Sequence, residues 1–331
     1  MVGALSRPPV DPRPAAAGRP AALLRAYELR PNKRLGQHFL VDPSYLARVV
    51  EAADVGPADT VLEVGPGLGA LTEALCSRAG RVVAVELDAG MRAVLADRLG
   101  AAPNLTVVAA DILRCDPVAL LDDGAPGAPG AGGPAAAVRR FGPLRPHYKV
   151  VANLPYYITS AVLRRLLDAT ERPERVVVMV QKEVADRATA APGAMSLLAV
   201  ALQLHAVVRR VCVVPPGAFH PPPRVASAVL RLDLHAAPPV PLPDVDAFFR
   251  VARAGFGQKR KQLKNSLAAG LGLADEAAAA VLAAAGIDPM RRAQTLDLAE
   301  WSRLTVAALE RGLVAAGPAE TPAAGGDDAW A

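Results

Sequence analysis

From residue 60 onward, apolar positions fall into two alternating patterns. Short unbroken runs predict buried strands: TVLEV (60–64), RVVAVEL (81–87), NLTVVAAD (104–111), YKVVAN (148–153) and RVVVMVQ (175–181). Between them, LGALTEALCSRA, AGMRAVLADRL and ITSAVLRRLLDAT repeat apolar residues at helical spacing, and MSLLAVALQLH reads as a further helix. VVRRVCVV and ASAVLRLDL close the region as a hairpin. Repeated strand–helix units imply an α/β fold, a mostly parallel sheet with helices on both faces. Ahead of it, KRLGQHFLVDPSYLARVVEAADV predicts a helix capped by Asp42, with Pro43 at its first position and Leu46, Val49, Val50 and Ala53 on one face.

After HAAPPVPLP only helical spacing remains, in DVDAFFRVARAGF, KQLKNSLAAGL, ADEAAAAVLAAAG and LAEWSRLTVAALERGL. The expected organisation is a disordered extension over 1–30, an α/β domain over 31–234, a helical domain over 235–316 and a disordered tail over 317–331. A Pro/Gly-rich stretch, DDGAPGAPGAGGPAAA, predicts a flexible insert within 122–147.

Composition narrows the function only modestly. At 52% hydrophobic, the 331-residue chain can bury a large core. No window approaches the roughly 20 apolar residues of a membrane helix, and MVGALSRPPVDPRPAAAGRP lacks the apolar core of a secretion signal. A cytoplasmic protein with no membrane partner is expected. The net charge of +5 fits a polyanionic partner without requiring one. Cys76, Cys115 and Cys212 are far apart and the five histidines do not cluster, so no metal site is expected.

The chemistry sits where strands end. VLEVGPGLG places Gly65, Gly67 and Gly69 in the first strand-to-helix turn, where backbone can approach a ligand closely. Their spacing differs from the Gly-x-Gly-x-x-Gly dinucleotide fingerprint. The next strand ends in Glu86, which can accept both ribose hydroxyls, and the third leads to Asp111, which can accept from an adenine amino group. Together they describe an adenosine site with no phosphate, and S-adenosylmethionine is the cofactor that fits.

The fourth strand delivers Asn153-Leu154-Pro155-Tyr156 to the same edge. An exocyclic adenine amine is a poor nucleophile because its lone pair is delocalised into the ring. The Asn153 side-chain oxygen and the Leu154 carbonyl can take its two N–H bonds and localise that pair. Pro155 fixes the turn, and Tyr156 offers a face for the base. The base must be single-stranded or flipped out. Phe219, in AFHPPPRVASAV, is the candidate for its other face, with core packing as the alternative reading.

These residues resemble the ribosomal RNA adenine N6-dimethyltransferase family, most closely its small-subunit branch, from about Lys33 to about Leu313. The resemblance rests on RLGQHFL, EVGPGLGALT, VELD, NLPYYIT, VQKEVADR with FHPPPRVASAVLRL, and FGQKRKQLKNSL. It implies a Rossmann-like S-adenosylmethionine-dependent methyltransferase with a small helical RNA-binding domain. Cofactor contacts are implied at His38, Leu40, Gly65, Glu86, Asp111 and Asn153, and target-base contacts at Asn153, Leu154, Tyr156 and Phe219. The implied reaction is N6,N6-dimethylation of two adjacent adenines in a hairpin loop near the 3′ end of 16S rRNA in an assembling small subunit. The sequence does not give the oligomeric state, and a monomer is expected. In FGQKRKQLKNSL, Lys259, Arg260, Lys261 and Lys264 are the RNA-binding candidates. They are expected on a cationic helix face opposite Leu263, Leu267 and Leu271.

The insert, the extension, ATAAPGAMSLLAV in place of a Tyr-Gly element, and Ala226 in place of a usual Asp depart from the family. None falls on the cofactor residues. The alternatives are the large-subunit branch, which methylates 23S rRNA, and a non-catalytic assembly factor. A DNA adenine methylase would need a DNA-reading domain that is not evident. A nicotinamide dehydrogenase fits neither the glycine spacing nor NLPY.

Overall fold

The computed structural model describes residues 20–32, 36–123 and 141–317. The extension before residue 20, residues 33–35, residues 124–140 of the insert and the tail after 317 lie outside the described residues. Helix α1 (Pro20–Ala26) and strand β1 (Phe39–Leu40) precede helix α2 (Pro43–Ala53). Next come β2 (Thr60–Val64), α3 (Ala70–Cys76), β3 (Arg81–Val85), α4 (Ala89–Leu99), β4 (Leu105–Val108) and α5 (Pro117–Asp123). Then follow β5 (Tyr148–Asn153), α6 (Thr159–Leu167), β6 (Arg175–Gln181), α7 (Lys182–Ala188) and α8 (Leu197–His205). Strands β7 (Ala206–Val214), β8 (Phe219–His220) and β9 (Ser227–Leu234) end the sheet region. Helices α9 (Val245–Phe256), α10 (Leu263–Leu271), α11 (Asp275–Ala284) and α12 (Leu298–Glu310) complete the described chain.

Seven strands form one sheet in the order β4-β3-β2-β5-β6-β9-β7. The pairs from β4 to β6 are parallel, and β9 runs antiparallel to both β6 and β7. The chain winds outward from β2 to β4, then returns to lay β5 on the other side of β2. This reversal opens a crevice at the carboxyl ends of β2 and β5, where such sheets bind ligands. Strands β2, β3, β5 and β6 are buried along almost their whole length. Both of their faces meet helices, which is why they read as unbroken apolar runs. Leu62, Val150 and Val178 pack in a layer with α6 and α8, while Val61, Val151 and Val177 pack with α2 and α3.

Local signals act as the sequence predicts at α2, where the Asp42 carboxylate accepts from the Ser44 N–H and Pro43 opens the helix. The expected hairpin of β7 and β9 forms, but β8 lies between them in sequence and leaves to pair antiparallel with β1, matching Phe39 with His220 and Leu40 with Phe219. The amino edge of the sheet is neutralised by ion pairs. Lys149 meets Asp59 at 2.8 Å, and Arg175 joins Asp54 at 3.0 Å and Asp233 at 2.7 Å.

Two expectations require correction. Disorder through residue 30 does not hold, because residues 20–26 form α1 and its Leu24 packs on Phe39, Leu68, Met91 and Val94. Flexibility over all of 122–147 does not hold either. Asp122 lies within α5, the Phe141 ring stacks on His205 at 4.2 Å, and Arg145 bridges Asp122 and Glu171. Helices α9 to α12 surround the fully buried Trp301 and Phe248, and this core also takes in Ala199, Val200 and Leu204 of α8.

Candidate active site at the carboxyl edge of the sheet

A cavity of about 240 Å³ opens where β2, β3 and β5 end. His38, Leu40, Gly65, Gly67, Glu86, Asp111, Asn153, Leu154, Pro155, Tyr156 and Phe219 all line it. Residues more than 180 positions apart in sequence are thus brought to one crevice. The pairing of β1 with β8 is what carries Phe219 there.

Gly65 follows β2 with φ 69°, a conformation costly for side-chain-bearing residues, and nothing lies within 4 Å of where its β-carbon would be. The Gly67 N–H donates to Glu86 Oε2 at 3.0 Å, and the Asp88 N–H donates to Oε1 at 2.9 Å. Each carboxylate oxygen keeps a lone pair for a further donor. Burial raises the Glu86 pKa, against the opposing pull of these backbone donors. Asp111 lies three residues past β4 in a turn, where its Oδ1 accepts from the Leu113 N–H at 3.0 Å. Glu63 also lines the cavity. It is 1% exposed, burial pushes its carboxyl up to about 8, and its Oε2 has no hydrogen-bond partner.

The charged lining is therefore mainly acidic. Arg98 also lines the cavity, but its guanidinium donates to the Leu68 carbonyl and pairs with Glu73. Carboxyl groups, a glycine turn and the apolar Val64, Leu87 and Ile112 suit a nucleoside carrying positive charge. They do not suit a pyrophosphate.

At the end of β5, Asn153 Nδ2 donates to the His38 carbonyl at 3.0 Å. That bond assigns the amide, so Oδ1 is the atom left to accept from a substrate N–H. Leu154 is 2% exposed, packs in the core and also lines the cavity. Pro155 leads into a 3₁₀ turn, Tyr156–Ile158, that begins α6. The Tyr156 hydroxyl hydrogen-bonds Ser227 Oγ at 2.7 Å, and its ring stacks with His38 at 6.1 Å. Burial raises the Tyr156 pKa. His38 Nδ1 in turn bonds the Pro221 carbonyl at 2.8 Å. Phe219 is 4% exposed and belongs to the core layer with α2 and α3, so it both packs the core and faces the cavity.

Gly69 stands off the cavity. It begins α3 at φ 85°, and a β-carbon there would come within 2.8 Å of Leu95. The basic block also differs from the expected helix face. Lys259, Arg260 and Lys261 occupy the exposed connection between α9 and α10, which starts only at Leu263. Lys264 is on α10, but its ammonium already pairs with Asp275 at 3.0 Å. Lys259 and Lys261 instead line a second cleft, between the sheet region and the helices, together with Arg187, Ser196 and Gln294. Sequence reasoning missed Pro20, Leu23, Gly36 and Tyr157, which also line the main cavity. Tyr157 stands inside NLPYYITS and could have been singled out. Leu23, Leu24 and Tyr27 carry a weak helical spacing that the Pro/Ala-rich context obscured.

This fold and crevice are those of a Rossmann-like methyltransferase. The chain belongs to the ribosomal RNA adenine dimethylase family, which matches residues 28–304. It is 45% identical, over 88% of its length and 94% of the relative's, to the ribosomal RNA small subunit methyltransferase A of Dehalococcoides mccartyi. Among solved structures, the 23S rRNA methyltransferase ErmE superposes with a TM-score of 0.61 at 27% identity, covering 81% of this chain and 98% of its own. A dimethyladenosine transferase from Plasmodium falciparum shares the fold with a TM-score of 0.65 at 24% identity, covering 82% and 97%.

Proposed function

We propose that the chain dimethylates N6 of two adjacent adenines in the 16S rRNA of an assembling small subunit, using S-adenosylmethionine and acting as a cytoplasmic monomer. The observation that carries this reading is Asn153. Its amide is turned by the His38 carbonyl so that an acceptor oxygen is left for an amine, beside Leu154. When bound, S-adenosylmethionine supplies an activated methyl group. Glu86 is suited to its ribose, Asp111 to its adenine, and His38, Leu40 and the turn at Gly65 and Gly67 to the rest.

The target adenine stacks between Tyr156 and Phe219. Asn153 Oδ1 and the Leu154 carbonyl accept its two N–H bonds and localise the nitrogen lone pair. With S-adenosylmethionine held by Glu86, Asp111, His38, Leu40 and the glycine turn, that lone pair would be presented to its activated methyl group, and the nitrogen's proton would leave to water. For the second methyl one N–H remains, so only one acceptor is needed. Lys259, Arg260 and Lys261 are the candidates for phosphate contacts. Lys264 is a weaker one, given its pairing with Asp275. The small-subunit assignment is supported by the 45% identity, over 88% of the chain, to a relative named a small subunit methyltransferase.

The test incubates the protein and methyl-labelled S-adenosylmethionine with unmethylated small subunits, large-subunit RNA or DNA, followed by mass spectrometry of the nucleosides. Dimethyladenosine from the small subunit alone is expected. Label in large-subunit RNA would reassign the substrate, and tight subunit binding without label would make the chain an assembly factor.

A further inference from the structure

Among the described residues, Tyr157 is the one exposed Phe, Tyr or Trp side chain, at 61%. The other large apolar residues exposed to a comparable degree, such as Leu87 and Met290, are aliphatic. A single exposed apolar side chain is ordinary on a protein surface. The position of this one is not. Tyr157 lines the same cavity as Asn153, Tyr156 and Phe219, so a largely exposed ring stands at the rim of the crevice that takes the target base.

The backbone holds the ring there. Tyr156 and Tyr157 open the 3₁₀ turn that follows Pro155. With about three residues per turn, adjacent side chains in such a turn diverge by roughly a third of a circle. Tyr156 is directed inward and tied to Ser227, and Tyr157 is directed outward. Gly36, at φ 58°, supports the outward ring from one side. A β-carbon there would meet Pro155 Cβ at 3.4 Å and Tyr157 Cδ1 and Cε1 at 3.5 and 3.6 Å. One edge of the ring therefore lies over the space that a side chain at position 36 would fill, and most of the ring is exposed.

From this arrangement we infer that Tyr157 is a second stacking platform, one that holds the nucleobase next to the target adenine. The inference rests on the proposed function. Drawing one base into the cavity removes it from the stack and leaves its neighbour without a partner at the cavity mouth. An aromatic face beside that mouth replaces the lost stacking and is indifferent to base identity. Where the neighbour is itself the second target, the platform keeps it at the entrance between the two rounds of transfer.

The experiment compares wild type with Tyr157→Ala, Tyr157→Phe and Tyr157→Trp. It measures affinity for unmethylated small subunits without cofactor, apparent KM for the same subunits, and S-adenosylmethionine Kd by calorimetry. Tyr157→Ala is expected to weaken subunit affinity and raise KM by about five- to a hundredfold, the range for stacking one base on one ring. Its cofactor Kd should change less than about twofold. The Phe and Trp variants, which keep a flat face, should restore most of the subunit affinity. The RNA fragment carrying both adenines should accumulate with one base modified in the Ala variant, where wild type carries it through to two. Unchanged subunit affinity in Tyr157→Ala would overturn the inference. So would a parallel loss of cofactor affinity, since the ring would then only order the Gly36 loop. A wild type that transfers no methyl to RNA would overturn the proposed function instead, while the affinity comparison still decides whether Tyr157 contacts the subunit.

Discussion

Replacing Glu63 by Gln should stabilise the folded chain at neutral pH, by an amount that grows with pH. Glu63 lies within the buried run of β2 at 1% exposure, and burial lifts its carboxyl from an ordinary 4.5 to about 8. The folded chain therefore keeps a proton there that the unfolded chain has lost. Because the folded pKa is raised, the contribution of this acid to stability is most favourable below about pH 4.5. It declines as pH rises toward 8, at about 1.4 kcal/mol per pH unit, and is constant beyond. At pH 7 the accumulated loss is roughly 3 kcal/mol, and above pH 8 roughly 5. Gln is nearly isosteric with the protonated acid and titrates nowhere in this range. The Thr72 hydroxyl beside the Glu63 carboxyl can serve the Gln amide as well. Urea unfolding of wild type and Glu63→Gln between about pH 5 and pH 8.5 tests this. The stability difference should be small at the acid end, widen by about 1 kcal/mol per unit between about pH 5 and pH 8, and level off above. A difference that stays constant across the range would refute a neutral buried Glu63.

Asn153→Ala should lower kcat by about a hundredfold or more, the scale of losing one group that stabilises developing charge, while subunit binding persists; rapid-quench methyl transfer checks it. Neutralising Lys259 and Lys261 with Gln should reduce the slope of log Kd against log salt by roughly 1 to 2. Lys264→Gln, whose ammonium is already on Asp275, should change that slope far less. Lys149→Met leaves Asp59 buried without its 2.8 Å partner and should cost about 3 kcal/mol in urea unfolding. Binding of S-adenosylmethionine near pH 7 should release protons as its positive charge drives Glu63 to ionise, seen as a binding enthalpy that depends on the buffer; in Glu63→Gln the dependence should shrink.

The strands of the sheet and the crevice they form were readable because their signals are local. Val61 to Val64, Val82 to Val85 and Val150 to Val151 announce buried strands by themselves. The turn at Gly65 and the Asn153 to Tyr156 run carry chemistry within a few residues. What could not be read depends on partners distant in sequence. Helix α1 exists because Leu24 finds Phe39, Leu68 and Met91, while its own composition is that of a linker. Strand β8 is two residues long and exists only through its pairing with β1. The basic block looks helical throughout, yet α10 begins only at Leu263, which is fully buried and whose N–H donates to the Arg291 carbonyl. Tertiary contact sets that boundary, and it moves Lys259, Arg260 and Lys261 from a helix face to an exposed connection.

The two edges of the sheet handle charge in opposite ways, and the contrast bears on function. At the amino edge, Lys149, Arg175 and Arg231 each meet an aspartate, so charge is neutralised within the protein. At the carboxyl edge, Glu63, Glu86 and Asp111 gather around a cavity whose arginine is committed to the Leu68 carbonyl and Glu73. Internal cations there would stabilise the fold, but they would compete with a cationic ligand for the same carboxyl groups. Asp111 has only the exposed Arg114 at 3.7 Å, and leaving Glu63 and Glu86 without a cation lowers stability and makes affinity for such a ligand available. Glu63→Gln is informative for this reason: a gain in stability accompanied by a loss of cofactor affinity would show that the two draw on one buried carboxyl.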